Sequence, residues 1–340
     1  MQKDQVSEAL PEAREDELEQ EKRPPGPDKK LRPRHVVQLL MVAVLHGLVF
    51  ISPQFLARAV GRSIGWLFLK LDKRHREIAL RNLDQAFGEE MSEAEKQLTV
   101  RRCFLHFGVA IMETLRLTRL NEKNIEKFVT FDGVEKFREG LAQESGVILC
   151  SAHYGNWEVM NLALGFEGLP MSVMARPIDN PLVHRYLERI RIRSGNQVLY
   201  KHKSIRRVIN ALRENRIVGI VNDQDVHDHN RIMVPYFGRP TSTTPIPAAL
   251  AYKTGAPLIT GYAEPLGGGR YLLTYGDLIY PDVEADKDAE IYRLTLLLNQ
   301  RLEEQIRRAP PYWMWMHKRF KTGESGMTGF YKSPRTRGIK

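Results

Sequence analysis

The sequence predicts an α/β protein: a mainly parallel, mixed sheet flanked by helices, preceded by an N-terminal hydrophobic helix that anchors the chain to a membrane. Three observations carry this prediction. From residue 146 onward, short β-branched and apolar runs alternate with segments of helical period, the signature of successive βα units. Residues 36–51 form a nearly uninterrupted apolar stretch with basic side chains on both flanks. The apolar and charged fractions, 42% and 27%, are those of a folded globular chain, and 340 residues suffice for one large domain or two modest ones.

The first element is an expected disordered tail. Residues 1–30 hold nine acidic and six basic side chains and end in a Pro-rich stretch around Pro24, Pro25 and Pro27. The formal charge of the whole chain is +10, so about +13 falls on the remainder. Such a surplus attracts nucleic acid, anionic lipid headgroups, phosphates or an acidic carrier protein, and charge alone does not choose among them. The two cysteines, Cys103 and Cys150, are far apart and lack metal-type spacing. They exclude a disulfide framework and fit a reducing compartment. Cys150 ends an apolar run and reads as a buried strand residue rather than a thiolate nucleophile.

Residues 36–51 are broken only by Gln38, His46 and Gly47, and Ser52-Pro53 ends them. As a helix these sixteen residues span about 24 Å, short of a hydrocarbon core of about 30 Å. Residues 55–70 place Arg58 and Arg62 one turn apart among apolar neighbours, as an interfacial helix with snorkelling arginines does. Residues 31–71 are therefore read as a membrane anchor, spanning or dipping, in preference to a buried core helix or a signal peptide. Positive charge on both flanks leaves the orientation open.

Residues 72–322 are expected to form the catalytic domain, and 323–340 a basic flexible tail. Residues 72–130 are helical in pattern, with Ser92 and Glu95 at capping-box spacing. Strands are then predicted at 146–151, 171–175, 197–200, 217–222, 257–264 and 271–275. Helices are predicted from about 156, and at 181–194, 204–215, 245–254 and 286–308.

The chemistry is concentrated in His153-Tyr154-Gly155-Asn156-Trp157-Glu158, where a buried strand gives way to a helix. In open α/β sheets that carboxyl edge is where ligands bind. A turn at Gly155 can fold His153 back toward Glu158 in the first turn of the helix. A carboxylate on one ring nitrogen would fix the tautomer and leave the other as a general base. Free amides at the helix start suit a developing oxyanion.

This segment resembles the His-x4-Asp/Glu motif of glycerolipid acyltransferases, in the Asn-Trp-Glu form of the bacterial lipid A lauroyl/myristoyl acyltransferases. Further segments match in order. Arg176-Pro177-Ile178-Asp179-Asn180 resembles the Arg-Pro-x-x-Asn element. Asp223-Gln224, followed by residues 234–240, resembles the Asp-Gln and Phe-Phe-Gly blocks. Residues 313–321 resemble the Trp-x-His-x-Arg-Phe-Lys signature, and Arg81-Asn82-Leu83 also fits. The resemblance covers about residues 36–322. It departs from the wider glycerolipid enzymes at the Glu-Gly-Thr-Arg phosphate element, whose place is taken by Asn222-Asp223-Gln224-Asp225.

The resemblance implies transfer of an acyl chain from an acyl-acyl carrier protein to a hydroxyl of a phosphorylated lipid A precursor. It places the enzyme at an anionic membrane surface, on the cytoplasmic face of a bacterial inner membrane. His153 and Glu158 are expected as the catalytic pair, and Arg176, Asn180, Asp223, Gln224, Arg239, His317 and Arg319 as substrate-binding residues. No metal or other cofactor and no nucleic acid is expected. Blander alternatives stand beside these roles: Arg176 as a strand-end ion pair, Asn180 as a helix cap, Arg239 as a solvated loop charge, and Trp313 and Trp315 as packing. Acceptors such as a mannoside or an aminolipid remain open within the class. A rival from another class is a metal-dependent hydrolase using Asp223, Asp225, His227, Asp228 and His229, four of which alternate onto one side of an extended chain. A non-catalytic basic binding protein is the other rival, without a supporting motif.

Overall fold

A computed structural model describes residues 31–175, 178–200, 204–226, 231–323, 326–327 and 329–331. The described residues open with four helices: α1 (Pro33–Ile51), α2 (Gln54–Leu71), α3 (Lys73–Phe87) and α4 (Glu93–Arg116). The βα alternation follows, with β1 (Val129–Asp132), α5 (Glu135–Leu141), β2 (Val147–Ser151), α6 (Trp157–Phe166) and β3 (Met171–Ala175). Next come α7 (Pro181–Arg191), β4 (Gln197–Tyr200), α8 (Ser204–Arg213) and β5 (Ile217–Val221). A hairpin of β6 (Ile232–Tyr236) and β7 (Arg239–Thr243) leads to α9 (Ile246–Thr254), β8 (Leu258–Gly267), β9 (Arg270–Tyr275) and α10 (Lys287–Arg308).

Seven strands form one sheet in the order β1-β9-β8-β2-β5-β3-β4. Every neighbouring pair is parallel except β8 and β9, so the expected mixed, mainly parallel sheet is the one observed. Side-chain alternation splits the core between its two faces. Leu149 joins one apolar cluster with α6, while Ile148 and Cys150 join another with α8, α9 and α10. A third cluster gathers α3, α4 and the C-terminal aromatics Trp313, Trp315 and Phe320.

Local chemistry explains the helical entry. Ser92 and Glu95 form the predicted capping box: the Ser92 amide donates to Glu95 at 2.8 Å and the Glu95 amide to Ser92 Oγ at 3.3 Å. Ser92→Ala removes that cap and is expected to destabilise the protein by about 1 kcal/mol, read as a lower denaturation midpoint. An unchanged midpoint would mean that tertiary packing alone holds the start of α4.

Helix α1 runs 19 residues rather than sixteen and is apolar enough to cross a membrane by length and composition, with a mean hydropathy of 1.8 and, of its side chains, His35 and Val49 buried. At about 1.5 Å per residue it approaches the thickness of a bilayer core. Val37, Leu40, Met41, Val44 and Leu48 are exposed along it, which does not fit the buried-core alternative. Helix α2 packs along α4 through glycines. A Cβ on Gly61 would stand 2.7 Å from the Gly108 carbonyl oxygen, so the two backbones touch where side chains are missing.

Two features depart from the expected organisation. Residues 232–236 and 239–243 pair as a hairpin with Pro235 opposite Pro240, and Phe237 and Gly238 at its tip both have positive φ. The other concerns the C-terminal tail, whose first part is folded: β10 (Thr322–Gly323) pairs with β11 (Gly326–Met327), Phe330 packs on Phe320, and the Tyr331 hydroxyl donates to Asn82 Oδ1 at 2.5 Å. Aromatic burial overrides the basic composition that suggested a loose tail. Residues 1–30 and 332–340 lie outside the described residues.

Candidate active site

Strand β2 ends at Ser151, and the chain turns through residues 152–156 into α6. This turn is bound on both sides. The Gly155 amide donates to the Tyr312 carbonyl at 2.8 Å, the Asn156 amide to the Ala263 carbonyl at 3.2 Å, and the Met314 amide to the His153 carbonyl at 3.0 Å. Gly155 has a φ of +58°, and a Cβ there would overlap the Ala263 carbonyl, so only glycine fits. Asn156 reaches the Tyr271 hydroxyl at 3.3 Å, Tyr271 donates to Glu113, and Arg58 of α2 pairs with Glu113 at 2.5 Å. A polar chain thus links the apolar entry helices to the turn.

His153 is held by Asp223. Its Nδ1 lies 2.7 Å from Asp223 Oδ1, and its backbone amide donates to Asp223 Oδ2 at 2.9 Å. The Trp313 indole N–H donates to the same Oδ2 at 2.9 Å. The Trp157 ring meets the imidazole edge to face at 4.9 Å. With Nδ1 engaged, Nε2 is the nitrogen left to the cavity that His153 lines. Burial disfavours the protonated imidazole, but Asp223 and then Glu158 outweigh it, so the His153 pKa is raised. Burial likewise opposes ionisation of Asp223, yet His153 and the Trp313 donor hold its carboxyl down at about 2.

The register of the sheet makes this pair. Ser151 of β2 stands opposite Val221 of β5, so residues two further along each strand, His153 and Asp223, emerge side by side at the carboxyl edge.

Glu158 does not hold the imidazole, contrary to the expected pairing. It accepts from Arg191 of α7, from Nε at 3.0 Å and from Nη2. The reason is local: α6 begins at Trp157, whose ring takes the place over His153, and Glu158 in the first turn faces α7. Glu158 and Arg191 still line the cavity with His153.

The other expected residues separate. Gln224 lines the cavity, with Nε2 3.5 Å from His153 Nδ1. Asn180 is a cap: its Oδ1 accepts from the Leu182 and Val183 amides, and its Nδ2 donates to the His35 carbonyl and Gln38 of α1. Asn180 therefore ties α7 to α1 and is not part of the cavity wall. Arg239 stands over the Phe330 ring at 4.7 Å, away from the cavity. Arg319 is fully buried, donates to the Ser242 carbonyl and to Thr243 Oγ1, and stacks on Tyr236 at 4.8 Å. Its role is to pin the C-terminal segment to β7. His317 accepts from the Asp225 amide at 3.1 Å, and so supports a loop that lines the cavity without lining it itself. Arg176 falls outside the described residues.

Of the metal-type cluster, Asp223 is engaged by His153 and Trp313, and Asp225 accepts from Thr322 at 2.9 Å. His227, Asp228 and His229 lie outside the described residues, and no group of metal-type side chains is assembled among the described ones. Arg191 lies in no segment that the sequence marks for the site, and Trp313 both packs in the aromatic cluster and donates to Asp223. The indole N–H of a Trp in an aromatic, basic signature was the available hint.

The cavity measures about 660 Å³ and runs from His153 inward over the sheet, along Leu149, Met160, Met171, Val173 and Gly219. Residues 25–322 match the family described as bacterial lipid A biosynthesis acyltransferase. The chain belongs to that family. It is 30% identical over 304 residues to the lipid A biosynthesis lauroyltransferase of Escherichia coli K12, covering 88% of this chain and 96% of that one. A lipid A biosynthesis acyltransferase of Haemophilus influenzae is 28% identical, covering 90% and 96%. The lipid A biosynthesis palmitoleoyltransferase of Escherichia coli K12 is 26% identical, covering 80% and 87%. Membership of the lipid A acyltransferases makes the chain a transferase rather than a hydrolase.

Proposed function

We propose that the enzyme transfers a fatty acyl chain from an acyl-acyl carrier protein to a hydroxyl of a phosphorylated lipid A precursor, with His153 as general base. One observation carries this reading: within a lipid A acyltransferase, an imidazole oriented by a buried carboxylate opens onto a long cavity with an apolar inner end. His153 Nε2 takes the proton of the acceptor hydroxyl as that oxygen attacks the thioester carbonyl. The tetrahedral intermediate collapses, the carbon–sulfur bond breaks, and the imidazolium returns the proton to the leaving thiolate. Asp223 holds the ring and balances its positive charge, while Trp313 and the His153 amide hold Asp223. The N-terminus of α6 beside His153 favours the negative charge that develops on the carbonyl oxygen.

Exposed apolar side chains on α1 and α2 support a place at the membrane, and the family's substrate lipid supports the cytoplasmic face of the inner membrane. The basic surplus suits an acidic carrier protein. The purified chain in detergent, given acyl-acyl carrier protein and a phosphorylated lipid A precursor, is expected to yield a product heavier by one acyl group in mass spectrometry. Release of free fatty acid with no acylated glycolipid would reject the acceptor class.

A further inference from the structure

The cavity ends on a gap in the sheet. Gly219 of β5 stands in register between Leu149 of β2 and Val173 of β3, and all three line the cavity. The Leu149 and Val173 side chains lie on the face covered by α6, where Met160 also lines the cavity. Gly219 has no side chain, so a trough runs along β5 between two apolar walls. One row further from His153, Met171 stands opposite Ile217. The Met171 side chain reaches forward into the space left by Gly219: a Cβ there would lie 2.6 Å from the Met171 terminal methyl. Met171 is fully buried and lines the cavity, whereas its neighbour Ile217 does not line it. Between the carboxyl edge of β5 and the Gly219 row, where that methyl sits, lie two strand residues, about 7 Å at about 3.3 Å each.

We infer that the trough leading up to Gly219 receives the acyl chain and that the Met171 methyl, seated over Gly219, is its end wall, so that Met171 and Gly219 together set the length of chain transferred. The inference rests on the acyl-transfer reading above and adds to it the residues that select the donor. Unbranched, flexible methionine suits such a stop, since it fills irregular space at an adjustable depth. Glycine at 219 is what lets the stop sit where it does. Among the described residues, only the far end of the Met171 side chain would have to move to admit a Cβ there.

The test is the donor-length profile of the purified full chain with a lipid A precursor and a graded series of saturated acyl-acyl carrier proteins. Met171→Ala deepens the trough, and the preferred chain is expected to lengthen, with relative kcat/KM rising about fourfold for each methylene newly buried. Gly219→Ala adds a methyl where the Met171 methyl already sits, so the end of the trough is overfilled and the preferred chain is expected to shorten. This second variant opens no cavity, so it decides the matter even where Met171→Ala folds poorly. A Gly219→Ala enzyme that keeps the wild-type length profile, or moves to longer chains, overturns the assignment while leaving acyl transfer intact. A wild-type enzyme silent with every donor removes the acyl-transfer reading and the end wall with it.

Discussion

Replacing His153 with alanine is expected to lower kcat/KM by about 10²–10⁴-fold in the acyl-transfer assay, the range found for loss of a positioned general base. The loss should fall on kcat, because the cavity that binds the donor is walled by Leu149, Met160, Met171 and Val173, which the substitution does not touch. Folding should survive. His153 is partly exposed, with side-chain accessibility of 22%, and the turn that carries it is tied down by backbone bonds to Ala263, Tyr312 and Met314. The variant does leave Asp223 buried without its imidazole partner, so some loss of stability is expected alongside. Measuring kcat and KM together with a melting curve separates the two effects. A folded variant with near-normal kcat would remove His153 from the chemistry, and with it the general-base mechanism.

How much of this was legible beforehand depends on the range over which each feature is determined. The βα alternation and the capping box at Ser92 are local patterns, and the structure reproduces them within a few residues. The β6–β7 hairpin was hidden because Pro235 and Pro240 read as strand breakers, and because its tip puts the bulky Phe237 at positive φ. That strain is held by the Glu303 carboxylate on the Phe237 amide and by ring contacts with Phe87 and Trp315, all distant in the chain. His153 was readable from its motif at a strand end, but its partner was not. Sequence proximity favours Glu158, five residues away. Spatial proximity favours Asp223, through the pairing of β2 with β5, and a list of strands does not give their order in the sheet. Arg319 shows the same limit from the other side. A basic residue in an aromatic signature reads as a ligand for phosphate, yet here it is a buried cross-link from the C-terminal segment to β7.

Asp223→Asn and Glu158→Gln should therefore differ, although either carboxylate could be drawn beside the imidazole from sequence alone. Asp223 touches both Nδ1 and the backbone amide of His153, and it is nearly fully buried. An amide there can present its NH₂ to Nδ1 and favour the wrong tautomer, and it no longer balances the imidazolium. The expected cost in kcat is about 10²–10⁴-fold. Glu158 acts on His153 only through space and is held by Arg191, so Glu158→Gln is expected to cost about tenfold or less. The pH profile gives a second readout. A base works when neutral, and Asp223 raises the pKa of His153, so wild-type activity should climb through a midpoint above the ordinary 6.5. In Asp223→Asn burial acts with less opposition, and the midpoint should move to lower pH even as the plateau falls. Stability follows the opposite sign. The raised His153 pKa stabilises the fold most below 6.5, and that contribution fades as pH rises through the folded value. Asp223, held at about 2, contributes above 3.8 and loses its effect as pH falls toward 2. Equal losses of kcat in the two variants, with the acid limb unmoved in Asp223→Asn, would return the partner role to Glu158 and require α6 to turn toward His153 when substrate binds.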